Sequence, residues 1–293
     1  MTRERALAIV NPAAGNGTGA KLLPRLARDL GAAGIDVDVI ATPAPGEAAR
    51  LASHAVEDGY LRVIAVGGDG TANEVANGLV DTDVALALYP IGSGNDFARA
   101  LGYPRKRKQL ASFLGRAQRR RIDVGEANGR VFLNSTGVGI DGHVAERVIA
   151  MSRVVGPALG YLVGSLASIA TFRPPTMRIR IDGQTREGPH MMVLAANGTH
   201  FGSGMRVAPN AKLDDGMFDV IVGGDLTRWQ SLVALAKIYR GTHVDGKTIF
   251  QFRASSVDVD FDAPLPGQLD GEFSRMSGLR MRVRPRALTV LGR

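Results

Sequence analysis

Along the first part of the chain, short, largely apolar runs each give way to a turn and then to apolar residues at three- and four-residue spacing. Arg5 to Val10, Ile35 to Ala41, Val63 to Val66 and Val84 to Tyr89 read as strands. Leu22 to Leu30, Glu47 to Glu57 and the stretch carrying Val75, Ala76 and Leu79 read as helices. Strand and helix in strict alternation predict a parallel sheet covered on both faces. After Arg121 the rhythm changes. Ile122 to Gly125 and Val131 to Asn134 are short strands, and Met177 to Ile181, Met191 to Ala195 and Phe218 to Val222 each run into a turn, at Asp182-Gly183, Asn197-Gly198 and Gly223-Gly224. Val257 to Phe261 and Met281 to Val283 continue the pattern, which predicts antiparallel sheet. One helix interrupts it, Trp229 to Ile238, with Leu232, Leu235 and Ala236 on one side; a short helix pattern through Leu110, Phe113 and Leu114 comes before the change. The expected organisation is an α/β domain over residues 1–125 and a β-rich domain over 126–293, hinged near Asp123 to Gly129.

The most informative stretch is Val63 to Leu79, an apolar run, a turn through Gly67, Gly68 and Gly70, and then helical spacing. Glycines there let backbone N–H groups approach an anion, and the following helix N-terminus adds partial positive charge. A tight strand-to-helix turn needs glycine for its own sake. Asp69, Thr71, Asn73 and Glu74 in the same loop move the reading towards ligand binding, because polar groups at the carboxyl edge of such a sheet are typically ligand groups. Two further glycine-rich loops follow strands: Asn11 to Gly19 and Pro90 to Arg99. Neither Gly-x-x-x-x-Gly-Lys-Ser/Thr nor Gly-x-Gly-x-x-Gly is present, so neither standard phosphate loop is being read.

Composition narrows the field modestly. A chain of 293 residues with no cysteine has neither disulfides nor thiolate chemistry, which fits a reducing compartment. The Ala-Leu-Ala-Ile-Val run near the N-terminus is too short for a secretory signal. A net charge of +8 suits an anionic partner. Its two clusters, Arg105 to Lys108 and Arg116 with Arg119 to Arg121, lack interleaved aromatics, which favours a solvated face or anionic lipid over nucleic acid. Val154 to Phe172 carries no charge and approaches membrane-spanning length, but glycines, Pro157 and hydroxyl residues dilute it. A mostly buried helix, or one lining an apolar groove, is the stronger reading.

The loops in order also carry a resemblance. Asn11 to Gly15, Gly67 to Val75 with its Gly-Gly-Asp-Gly-Thr core, Pro90 to Arg99, Asp123-Val124-Gly125, Asn134 to Asp141 and Asp270-Gly271-Glu272 resemble the motifs of the bacterial diacylglycerol kinase-like lipid kinases, within the diacylglycerol, sphingosine and NAD kinase superfamily. The resemblance implies a phosphofructokinase-like N-terminal domain, a C-terminal β-sandwich and ATP in the cleft between them. It implies that Asn11, Pro12, Ala13, Ala14, Gly15, Thr42, Gly68, Asp69, Gly70, Thr71, Ala72, Asn73, Glu74 and Ser93 hold the nucleotide, with Ser93 standing where Thr is common. Asp69, Asp96 and Asp123 would organise catalytic Mg²⁺ partly through water, and Arg99 would pair with that cluster or with phosphate. Asp69 and Glu272 are the expected catalytic residues, with Glu272 as proton acceptor. Lys212, Asp215 and Met217 resemble a second, structural Mg²⁺ loop, Asp215 by its side chain and the other two by carbonyls.

The function so implied is transfer of the ATP γ-phosphate to a lipid hydroxyl, most simply that of diacylglycerol. An NAD kinase shares the Gly-Gly-Asp-Gly-Thr loop, and a catalytically silent lipid-binding protein could keep the fold. Pro90 to Arg99 favours the lipid branch over the first, and intact Asp69 and Glu272 argue against the second. Expected partners are a membrane lipid substrate and, reversibly, an anionic membrane surface, with no nucleic acid; a homodimer stays open. The expected location is cytoplasmic, peripheral at the inner face of the membrane.

Overall fold

The computed structural model describes residues 5–155, 157–202 and 204–292. The chain divides into two compact units, Met1–Val124 with Pro285–Arg293, and Gly125–Arg284. The division falls within the expected hinge, but the last residues return to the first unit rather than staying in the second.

In the first unit the elements are β1 (Ala6–Val10), α1 (Ala14–Gly31), β2 (Val37–Ala41), α2 (Glu47–Glu57), β3 (Arg62–Gly67), α3 (Asp69–Leu79), β4 (Ala85–Pro90), α4 (Asp96–Ala100) and α5 (Leu110–Leu114). The strands are parallel, in the order β2-β1-β3-β4, and the C-terminal strand joins beside β4 through Val290 and Leu86. β1, β3 and β4 are buried nearly throughout, which accounts for their unbroken apolar runs, whereas the edge strand β2 alternates. The alternation read from the sequence is therefore a parallel sheet, and the carboxyl ends of β1, β3 and β4 lie side by side.

β5 (Gln118–Ala127) begins in the first unit and ends in the second, where it is followed by β6 (Arg130–Phe132), β7 (Ser135–Gly139), α6 (Ile140–Val155), α7 (Pro157–Thr171), β8 (Thr176–Ile181), β9 (Gln184–Pro189), β10 (Met192–Ala196), β11 (Phe218–Gly223), α8 (Arg228–Ile238), β12 (Ile249–Ala254), β13 (Ser256–Asp260), β14 (Leu265–Leu269), β15 (Glu272–Met276) and β16 (Leu279–Gly292). Six antiparallel strands form one sheet in the order β12-β11-β10-β7-β14-β15. The first part of β16, β13, β8 and β9 form a second antiparallel layer. Phe132, Val193, Phe218, Val220, Val257 and Met281 share a core to which both layers contribute, with the Phe132 and Phe218 rings stacked 5.5 Å apart. The opposite residues of β10 and β11, Leu194 and Ile221, enter a second core with Phe201, Met205, Leu235 and Ile238. The six-stranded sheet is thus buried on both faces, which explains why β11 is apolar at nearly every position.

The uncharged segment resolves into more than one helix. α6 ends at Val155 and α7 begins at Pro157, with Gly156 outside the described residues, as are Met1 to Glu4. Among the described residues no helix is long and apolar enough to cross a membrane. Proline at the first position of α7 is suited to starting a helix and cannot continue one. The side predicted for α8 also divides: Leu235 packs into the second core, while Leu232 is exposed.

Candidate functional site

The three glycine-rich loops converge at the carboxyl ends of their strands. The Ile91 N–H donates to the Gly67 carbonyl at 2.9 Å, and Asn11 Nδ2 donates to Thr71 Oγ1 at 3.2 Å. Asn11 Oδ1 accepts from the Ala13 N–H, closing a turn after which Gly15, Asn16 and Gly17 are all left-handed before the regular helix begins. A Cβ on Gly92 would lie 2.6 Å from Gly68 Cα, and one on Gly15 would lie 2.4 Å from the Ile91 carbonyl oxygen. Side chains are therefore excluded where the loops meet, leaving backbone to face whatever binds, beside the N-terminus of α3. That is a cradle suited to phosphate. Thr42 sits at the end of β2, its N–H bonded to the Val10 carbonyl.

Asp69 opens α3, and its Oδ1 accepts from the Phe97 N–H at 3.0 Å, holding the third loop against the second. Oδ2 takes no hydrogen bond among the described residues, which leaves a hard anionic oxygen available to a cation. Asp96 is buried, and Arg99 Nη1 lies 3.1 Å from its Oδ1. Asp123 is also buried, and its Oδ1 accepts from the Arg286 N–H at 2.8 Å, tying β5 to the C-terminal strand within the first unit. Other predicted groups have structural partners. Glu74 Oε2 accepts from the Ala48 N–H at the start of α2, and Asn73 is buried and accepts from Asn77 Nδ2. Ser93 is exposed on its loop. Among the described residues no three acidic or histidine side chains gather closely enough to hold a metal by themselves. The donor set of this unit fits Mg²⁺ shared between one or two carboxylates and phosphate oxygens.

In the second unit the Asp270-Gly271-Glu272 turn has a built anchor. Asp270, itself left-handed, accepts the N–H groups of Leu133, Asn134 and Ser135 at 2.7, 2.8 and 3.0 Å. This fixes the start of β15, where Glu272 is half exposed and paired with Arg130 at 3.1 Å. At the Lys212 to Met217 loop, Asp215 Oδ1 accepts from the Met217 N–H at 3.2 Å and Oδ2 is paired with Arg253 on β12. An ion there would have to share the carboxylate with that guanidinium.

An apolar pocket of about 130 Å³ lies in the second core, and α7, within the segment read from the sequence as buried or lining an apolar groove, forms one of its walls. Ile169 on α7, Leu235 and Ile238 on α8, and Leu194, Phe201 and Met205 line it. Two buried polar groups also do. Asp141, at the start of α6, has one oxygen without a partner and the other 3.4 Å from Gln268 Nε2, and burial pushes its pKa up to about 7. His243 is 4% exposed, and neither ring nitrogen reaches hydrogen-bonding geometry. Burial pushes its pKa down, against a smaller opposing pull from the Val207 carbonyl, so the imidazole is neutral at physiological pH. Asp141 follows the glycine-rich β7 and closes the Asn134 to Asp141 stretch that carries the resemblance, without a role of its own being assigned there. His243 carries no local signal.

Two family models match the chain. Residues 5–127 match the family model described as the diacylglycerol kinase catalytic domain, and residues 134–292 match the YegS C-terminal NAD kinase beta sandwich-like domain. A Bacillus subtilis (strain 168) protein named diacylglycerol kinase is 31% identical over 276 residues, 93% of this chain and 91% of its own length. A Chromohalobacter salexigens protein named probable lipid kinase YegS-like is 31% identical over 84% of this chain and 80% of its own. A crystal structure of a diacylglycerol kinase from Bacillus anthracis superimposes with a TM-score of 0.78 at 25% identity, covering 100% of this chain and 98% of the other.

Proposed function

The chain belongs to the diacylglycerol kinase family and is a lipid kinase, a phosphotransferase with an alcohol acceptor; from that premise we propose that it transfers the γ-phosphate of ATP to the free hydroxyl of diacylglycerol, giving phosphatidic acid. The observation that carries this reading is that one unit holds a side-chain-free phosphate cradle and the other a pocket lined almost wholly by apolar side chains. A pocket with this lining takes ligands with apolar surface, and a sugar or nicotinamide acceptor would gain little from Leu194, Phe201, Met205 and Ile238. That contrast favours a lipid over NAD as the acceptor.

In this mechanism backbone N–H groups of the Gly67 to Thr71 and Ile91 to Asn95 loops hold the phosphates, and a bound Mg²⁺ would supply positive charge beside the transferred group. Asp69 would hold the ion through its unpartnered oxygen while its other oxygen keeps the loops together. Asp96 and Asp123 lie too deep to act as exposed ligands without water between. Glu272 takes the hydroxyl proton as phosphorus bonds to the acceptor oxygen and the bond to ADP breaks, which requires it to part from Arg130. Asp141 and His243 offer the polar contacts inside the pocket, one as a carboxyl protonated near neutrality and the other as a neutral imidazole. The resemblance assigns a second ion to Lys212, Asp215 and Met217, and metal-dependent stability without nucleotide is its test. The location follows from the substrate: the protein works peripherally on the cytoplasmic face of a membrane. The acceptor is tested by offering labelled ATP, Mg²⁺ and a panel of diacylglycerol, ceramide, sphingosine, phosphatidylglycerol and NAD. Diacylglycerol should be labelled fastest, and preferential labelling of another member would replace it.

A further inference from the structure

Large apolar side chains lie open to solvent on two neighbouring helices. On α7, Leu162, Val163 and Leu166 are 47, 37 and 42% exposed, and their spacing puts them on one stripe. On α8 and its C-terminal end, Trp229, Leu232 and Tyr239 are 73, 37 and 49% exposed and also share a stripe. The two helices pack against each other, and their opposite sides, through Ser165, Ile169, Ser231, Leu235 and Ile238, wall the apolar pocket. Each helix is therefore apolar towards the pocket and apolar towards solvent. A soluble surface has no use for a patch of this composition.

Charge says what covers it. α7 carries no charged residue, and α8 with the two residues after it carries Arg228, Lys237 and Arg240 and no acid. None of these three cations has an acidic partner among the described residues. In the basic stretch from Arg116 to Arg121, by contrast, Arg119 is bonded to the Asp83 and Leu61 carbonyls, Arg121 to Asp83, and Arg116 to Ser112; the Arg105 to Lys108 cluster also lacks acidic partners among the described residues but has no apolar helical stripe of its own. An aromatic and aliphatic surface with unpaired cations fits the interface of an anionic bilayer, where Trp and Tyr rings sit at headgroup level and Lys and Arg meet lipid phosphates.

We propose that the outward face of α7 and α8 seats the protein on an anionic membrane, so that the helices walling the pocket are those in contact with the bilayer. The lipid-kinase reading supplies the reason for this contact, but the contact itself is a separate physical claim. A lipid's chains then pass from bilayer to pocket alongside α7 and α8 without crossing open water.

The test uses the chain's single tryptophan, Trp229, which lies in the patch. Wild-type protein is mixed, without nucleotide or diacylglycerol, with phosphatidylglycerol vesicles and with phosphatidylcholine vesicles. With the anionic vesicles its emission should move to shorter wavelength and be quenched by phosphatidylglycerol brominated on its acyl chains. Replacing Arg228, Lys237 and Arg240 by Gln should weaken binding about fivefold per charge. Leu166→Glu should abolish cosedimentation with vesicles while leaving phosphorylation of a dispersed short-chain diacylglycerol unchanged. Cosedimentation of wild type with no change in Trp229 emission would overturn the proposal by placing contact on another face, as would absence of binding. Emission that shifts with protein concentration in buffer alone would assign the patch to a second copy of the chain and overturn it too. Should the Glu variant misfold, the wild-type emission decides. If wild type fails to phosphorylate the dispersed substrate, the kinase reading falls while the emission result stands.

Discussion

Asp141→Asn isolates a stability effect that follows from burial alone. The wild-type carboxyl has an ordinary value of 3.8 and is pushed up to about 7, first by desolvation, with the Gly142 N–H and Gln268 amide opposing. The raised value means the folded state binds the proton more tightly than the unfolded chain, so the associated stability is full below about pH 4 and is lost as pH rises through 7. A shift of about 3 units corresponds to roughly 4 kcal/mol in all, of which about 2.5 kcal/mol is lost between pH 5 and pH 8. Asparagine keeps the shape and cannot ionise. Urea unfolding of both proteins at pH 5 and pH 8 gives the double difference, in which other titrating groups cancel. Wild type should lose about 2.5 kcal/mol more than the variant over that interval. Equal losses would mean that Asp141 is solvated or paired in solution, and its place among the polar groups of the pocket would go with it.

Four further outcomes follow. Asp69→Asn should abolish phosphoryl transfer with the fold intact by circular dichroism, because it removes the negative charge offered to Mg²⁺ but keeps an oxygen for the Phe97 N–H; full activity would refute the assignment. Glu272→Gln should lower kcat by roughly a hundredfold or more, and a change confined to KM would make Glu272 a binding group. Asp270→Ala removes the acceptor of three backbone N–H groups and should cost roughly 3–5 kcal/mol in denaturant unfolding, against near zero if water replaces it. Millimolar Mg²⁺ should raise the Tm of nucleotide-free wild type but not of Asp215→Ala, and no rise in wild type would leave Arg253 as that carboxylate's partner.

The first unit was legible because its signals are local. A buried parallel strand is an unbroken apolar run, and the loop after it must hold glycine, so β1, β3, β4 and their loops could be placed to within a residue or two. The resemblance named the residues of those loops, but it could not say that Glu74 turns away to cap α2 or that Asn73 bonds within its own helix. The second unit gave up part of its strands, with β7, β9, β12, β14 and β15 unread, and of its pocket only the wall formed by α7. Pocket walls come from α6, α7, α8, β10 and the loop around Met205, and nothing local marks residues brought together from such distances along the chain. The same limit applied to the C-terminal strand, whose pairing with β4 depends on Val290 meeting Leu86. α8 misled for a different reason: Leu232 and Leu235 are three apart and read as one face, yet one meets solvent and the other the core. Periodicity finds an apolar side and cannot count two of them.

The central claim is transfer of a phosphoryl group from ATP to diacylglycerol by the loops around Asp69. Wild type and Asp69→Asn, each incubated with ATP, Mg²⁺ and a dispersed short-chain diacylglycerol, can be assayed together for ADP and for phosphorylated lipid by mass spectrometry. The account predicts one phosphatidic acid for each ADP with wild type and neither product with the variant. ATP consumption without lipid phosphate, or equal yields from both proteins, would contradict it.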